Sequence, residues 1–182
     1  MRLFVGIPLE GTVVRELTRL TERLRSAADL RWSAQESWHI TLQFLGNSSA
    51  EQFDCLVGRL GEVRSAPVPV QLGGLGVFER AGILHAEVKL SEQLMDLQKK
   101  IVAATGLCGF EPETRPYRPH ITLARFKGTG RSRELSALAS RIQSQPKFPR
   151  FTASEFLLYE SRLLPAGSTY EVRQRFALSD AF

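Results

Sequence analysis

No apolar run in this chain of 182 residues approaches the length of a bilayer span, which excludes a membrane-crossing helix. No stretch is rich enough in proline, glycine or serine to separate independent lobes. Residues 1–9 are apolar, but the run ends too soon for a signal peptide and reads as a first strand. There are two cysteines, Cys55 and Cys108, with no metal-ligand spacing between them. With no secretory context, they are expected to be reduced thiols in a cytoplasmic protein. A glycine-rich phosphate loop of the P-loop kind is missing. Histidine is scarce as well: the chain has His39, His85 and His120.

What is present describes a folded protein. A hydrophobic fraction of 43% and a charged fraction of 24% argue against disorder. The net charge of +5 suits a polyanionic partner, although many basic proteins bind no nucleic acid.

Periodicity supplies the elements. Residues 2–8 read as a strand, and Val13, Leu17, Leu20 and Leu24 recur at helical spacing within about 10–28. A strand follows at about 38–45. Ser49 and Gln52 form a capping-box pattern ahead of Phe53, Leu56, Leu60 and Val63. A strand around 68–78 turns at Glu79–Gly82 into another at about 83–90. Ser91 caps a third helix carrying Leu94, Leu97, Ile101 and Ala104, which stops near Gly106. A strand at about 118–126 precedes a fourth helix with Leu135, Leu138 and Ile142. Strands at 151–160 and about 169–178 close the chain. The layout repeats, strand, helix, strand, helix, strand. It predicts an α+β fold of two pseudo-twofold-related lobes in one domain over 1–182, each an antiparallel sheet with helices on its outer face, around a central cleft.

Two of the three histidines sit in identical tetrapeptides, His39-Ile40-Thr41-Leu42 and His120-Ile121-Thr122-Leu123, 81 residues apart (120 − 39). At period two, His and Thr share one face and Ile and Leu the other. Two such strands side by side bring two imidazoles and two hydroxyls into one cleft. Imidazole gives or takes a proton near neutrality, so a facing pair can divide the work into base and acid. That suits displacement at phosphorus, with the threonine hydroxyls donating to phosphate oxygens. A lone strand histidine is usually structural, but a purely structural repeat would keep Ile and Leu and let His vary. A two-histidine metal site lacks a carboxylate or third histidine at helpful local spacing, so no metal or other cofactor is expected.

These paired His-x-Thr-x motifs resemble the two-histidine phosphoesterase superfamily. The resemblance is strongest to its RNA 2′,3′-cyclic phosphodiesterases, also called 2′-5′ RNA ligases. It runs nearly end to end, through residues 1–8, Arg31-Trp32, the block 38–46, Gly73–Phe78, the block 118–125, Leu158–Ser161 and Tyr170–Val172. It implies an RNA end carrying a 2′,3′-cyclic phosphate, opened by water to a 2′-phosphate without a metal. Small cyclic nucleotides are alternative substrates, and no protein partner is implied. Rival readings are the reverse reaction, 2′-5′ end joining, and an RNA-binding module without catalysis, against which both intact motifs argue. By the same carry-over His39 and His120 match the catalytic pair, and Thr41 and Thr122 the phosphate-orienting hydroxyls. The resemblance assigns His39 as acid and His120 as base. Charge agrees: Arg118, Arg125 and Lys127 surround His120, while Glu36 stands near His39.

Arg125 matches an arginine associated with the phosphate. Strict alternation points it away from His120 and favours Arg118, unless a bulge near Ala124 brings Arg125 round. Related sequences often carry an aromatic where this chain has His85, and a ring there could stack on a terminal base. Phe44 and Trp38 alternate away from His39 and are weighed as packing residues. Lys127, Arg131 and Arg133 are candidates for the RNA backbone, or a solvated loop.

Overall fold

The structure is a computed structural model that describes residues 1–26, 28–126, 138, 147–164 and 167–179. Its first strand, β1 (Arg2–Pro8), shows how the sequence sets the layers. Leu3, Val5 and Ile7 enter the main core, while Phe4 joins Leu157 and Tyr159 on the opposite face. Helix α1 (Gly11–Arg25) buries the predicted stripe Val13, Leu17, Leu20 and Leu24. A three-residue strand, β2 (Leu30–Trp32), and a 3-10 turn at Gln35–Ser37 lead into β3 (His39–Asn47). Helix α2 (Ala50–Gly61) opens on the predicted capping box, with Ser49 and Gln52 bonded reciprocally. Such a cap contributes about 1 kcal/mol.

The predicted strand at 68–78 is two strands. β4 (Val68–Val70) pairs with β8 (Phe151–Ala153), and β5 (Leu72–Phe78) joins a different sheet. Gln71 makes the break, its amide donating to the carbonyls of Leu72 and Phe148. β6 (Ile83–Val88), α3 (Glu92–Gly106, capped by Ser91) and β7 (His120–Phe126) follow as expected. The predicted 151–160 strand likewise divides, into β8 and β9 (Glu155–Leu164), before β10 (Gly167–Ala177). The predicted fourth helix and the cations Lys127, Arg131 and Arg133 lie outside the described residues, except Leu138, which is buried.

Among the described residues there are two four-stranded antiparallel sheets, in the orders β10-β9-β1-β3 and β2-β7-β6-β5. The units β9-β1-β3 and β5-β6-β7 are counterparts, each ending on or next to a histidine strand. The predicted symmetry of position is incomplete. β7 has a neighbour on each side, whereas β3 is the edge of its sheet. One continuous buried cluster contains Ile40 and Leu42 of the first sheet and Ile121 and Leu123 of the second. Truncating such a fully buried leucine, Leu42→Ala for example, costs roughly 2–5 kcal/mol.

The cysteines correct the expectation of free thiols. Cys55 of α2 and Cys108, just past α3, form a disulfide with a Cα–Cα distance of 5.8 Å. The packing of α2 against α3 brings together two residues that sequence spacing could not pair. Closing a loop with sequence separation 53 contributes roughly 4 kcal/mol on the chain-entropy account. Among the described residues no helix is long and apolar enough to cross a membrane.

Candidate active site

The two histidine strands have the same burial sequence. Ile40, Leu42 and Gln43 are buried in β3, and Ile121, Leu123 and Ala124 in β7. Two adjacent buried residues break the alternation in each. The pairing shows why. Against β1, Val5 faces Gln43 and Gly6 faces Thr41, leaving Leu42 as an extra residue. Against β6, Leu84 faces Ala124 and His85 faces Thr122, leaving Leu123 as an extra residue. Each strand therefore carries a bulge at the same place in the motif, and the bulge turns the residue five after the histidine onto the histidine face. On β7 that residue is Arg125. On β3 it is Phe44.

This resolves one expectation and corrects another. Arg125 lines the same cleft as Arg118, His120 and Thr122, so the two arginines are not exclusive candidates. Phe44 is not a packing residue: it is 58% exposed and lines the cleft. Trp38 is buried, as expected. The bulge invoked for Arg125, applied to both copies, would have found Phe44 in the sequence.

Each imidazole is fixed in the same way. His39 Nδ1 lies 2.7 Å from the carbonyl of Ser37, and His120 Nδ1 lies 2.8 Å from that of Arg118. A carbonyl can only accept, so each Nδ1 carries the proton and each neutral ring presents Nε2 as a lone pair. His39 Nε2 is 3.1 Å from Thr41 Oγ1, whose hydroxyl donates to it. Thr41 lines the cleft, and half-buried His39, which is not among the lining residues, meets it through the Thr41 hydroxyl.

The surroundings then diverge. Phe4, Tyr159 and Tyr170 enclose His39, with ring centroids 4.6, 5.6 and 5.0 Å away. Gly6 permits this approach: a Cβ there would sit 2.9 Å from the Ile40 carbonyl and 3.4 Å from the His39 ring. Burial lowers the His39 pKa to about 4, outweighing the Ser37 carbonyl, and the charge of His120 lowers it further. Glu36, expected to favour protonated His39, sits exposed in the 3-10 turn, and burial sets the direction instead. His120 packs edge-on against Phe78 at 4.8 Å and His85 at 5.5 Å. Its pKa is also lowered, first by burial and then by the charges of Arg118 and Arg125, against the Arg118 carbonyl. The cation argument made for His120 from sequence therefore has a structural basis.

His85 does not reach a ligand. It is 3% exposed and stacked on Phe78 at 3.9 Å, so a terminal base has no access to it. Burial holds its pKa down to about 4. Arg118 lies over Phe78 at 4.9 Å, a cation–π contact that sets its guanidinium at the cleft wall. The cleft, about 1060 Å³, also reaches Gln98, Lys99 and Val102 of α3. Among the described residues no three His, Cys, Asp or Glu side chains gather to hold a metal.

The two histidines held alike at Nδ1, with a basic cleft lined by Thr41, Arg118, His120, Thr122 and Arg125, agree with comparisons to known proteins. The model of the 2′-5′ RNA ligase superfamily matches residues 10–163. This chain belongs to that superfamily. It is 33% identical over 132 residues to an RNA 2′,3′-cyclic phosphodiesterase of Bacillus subtilis, covering 70% of this chain and 72% of that protein. It is 34% identical over 167 residues to one of Geobacillus stearothermophilus, covering 88% of this chain but 52% of that protein. The fold resembles that of E. coli LigT complexed with 3′-AMP, with a TM-score of 0.81 at 23% identity over 98% of each chain. It also resembles TT0787 of Thermus thermophilus, with a TM-score of 0.76 at 25% identity over 100% of each chain.

Proposed function

We propose that this chain hydrolyses the 2′,3′-cyclic phosphate ends of RNA to 2′-phosphates, with His39 and His120 as the acid–base pair and without a metal. The observation that carries this is the repeated histidine strand, whose bulge places a cation after one copy and an aromatic ring after the other. His120 Nε2 takes a proton from water, and the water oxygen attacks phosphorus in line. The bond from phosphorus to O3′ breaks, and His39 Nε2 gives its proton to O3′. Thr41 and Thr122 donate hydroxyl hydrogens to the phosphate. Arg125 and Arg118 neutralise the charge that builds on its oxygens. The exposed face of Phe44 takes the terminal base by stacking.

A neutral His39 in the free protein is consistent with this role. An anionic phosphate arriving beside the imidazole favours its charged form, so substrate and proton enter together. In this reading the chain acts as one two-lobed unit on RNA, or on small cyclic nucleotides. An RNA substrate supports a cytoplasmic location as part of this reading. The paired cysteines remove the thiol argument for that compartment.

Incubation with an oligonucleotide ending in a 2′,3′-cyclic phosphate, in the presence of a chelator, tests the proposal. The expected product is a 2′-phosphomonoester. No conversion, or conversion only on addition of a divalent metal, would overturn it. A joined 2′-5′ product would favour the reverse reaction.

A further inference from the structure

One hydrogen bond links the first histidine strand to the segment that leads into the second and has no part in the proton transfers above. Tyr117, three residues before His120, donates its hydroxyl to the carbonyl of Thr41 at 3.0 Å. Thr41 is two residues past His39, and its own hydroxyl holds His39 Nε2. β3 is an edge strand, and a half-buried backbone carbonyl on such an edge needs a partner from elsewhere. Tyr117 supplies it from the segment that leads directly into β7.

That segment is stiff. Pro116 and Pro119 flank Tyr117 and Arg118, fixing φ at their own positions and restricting the residue before each. The path from His39 to His120 is thus short: Thr41, one hydrogen bond, Tyr117, and a proline-bound tripeptide. A second tie lies two residues along β3, where Thr105 of α3 donates to Gln43 Oε1 at 2.8 Å. The two hydroxyls bracket the bulge at Leu42. Burial pushes the Tyr117 ionisation well above the usual phenol range, so the group stays a donor at every working pH.

We infer that Tyr117 is a positioning residue, a strut that sets the span between the two histidines. The inference rests on the two-histidine reading of the site. Acid and base must both reach one phosphorus, so a loosened span lowers the chemical step more than it lowers binding.

Tyr117→Phe keeps the ring and removes only the bond. Its kcat on a cyclic-phosphate oligonucleotide is expected to fall about tenfold, with KM within about twofold. The imidazole NMR signals of both His39 and His120 are expected to shift in the free protein, although the Tyr117 hydroxyl bonds to neither ring. That readout needs no turnover. An inactive wild type therefore breaks the functional reading, while unmoved histidine signals break the strut. Tyr117→Leu, which also loses the ring, should lower Tm further than Tyr117→Phe. A Tyr117→Phe protein with wild-type kcat, whatever its Tm, would make the residue structural only and overturn the inference. A loss confined to KM would make it a substrate contact and overturn it equally.

Discussion

The β3 half of the site and the β7 half start from the same tetrapeptide and end in different chemistry. Both fix Nδ1 on the carbonyl two residues back, and both bulge at the leucine. Then Phe44 stands where Arg125 stands. His39 is enclosed by three aromatic rings, whereas His120 is flanked by cations. The lesson is that the repeat preserves how a side chain is aimed and leaves free what is aimed. On the proposed reading, the first half holds a base and the proton for O3′, and the second holds charge and activates water.

The strongest way to break the comparison is to remove either imidazole. His39→Ala and His120→Ala should each lose about 10²–10⁴-fold in kcat while retaining the fold. A cyclic substrate with sulfur at the 3′ leaving position then separates the halves, because sulfur leaves with little help from an acid. It should rescue His39→Ala and not His120→Ala. Rescue of the His120 variant alone would reverse the roles.

The residues at the bulges come next, and here the two halves should differ in kind. Arg125→Ala should lower kcat by about 10²-fold, since it removes charge stabilisation in the transition state. Phe44→Ala should act mostly on KM, by about tenfold, the size of a lost base stack. Equal effects on the same parameter would mean that the two positions have not diverged. Gly6→Ala probes the aromatic box from behind. Its Cβ would displace the His39 ring or the Ile40 carbonyl, so activity should fall while phosphate binding at the β7 half persists.

These distinctions were unevenly legible in the sequence. The histidines, threonines and helical stripes were visible because period and repetition report them directly. Ser49 and Ser91 marked their helices because capping is local chemistry. β2 escaped because three residues carry no period, and Gln71 divides a run that reads as one strand. Phe44 reads as a packing residue because strict alternation does not survive the bulge, which both copies carry. The disulfide and the Tyr117 bond join residues 53 and 76 positions apart. They depend on how α2 meets α3 and how β3 meets the approach to β7, which no local pattern encodes.

The smallest expected effect is on pH dependence, and it sharpens the contrast in burial. The kcat/KM profile reports groups of the free enzyme. His39 is lowered to about 4 and His120 is lowered below 6.5. The reactive form needs one imidazole charged and the other neutral, so the profile should be a bell with its maximum on the acid side of 6.5. In the complex the phosphate charge favours protonation, so the kcat profile should lie at higher pH than the kcat/KM profile. The apparent values belong to the coupled pair. Stability follows the same linkage. Between about 6.5 and 4 the unfolded chain binds protons that folded His39 refuses, so stability rises with pH across that window and falls on acidification. Tyr170→Leu, which opens the box around His39, should raise the His39 pKa and flatten that slope. The corresponding change at His85, to Phe, should leave the His39 titration where it was. Histidine-resolved NMR titration of the two variants measures both, and identical shifts in the two would mean that the aromatic box does not set His39 apart.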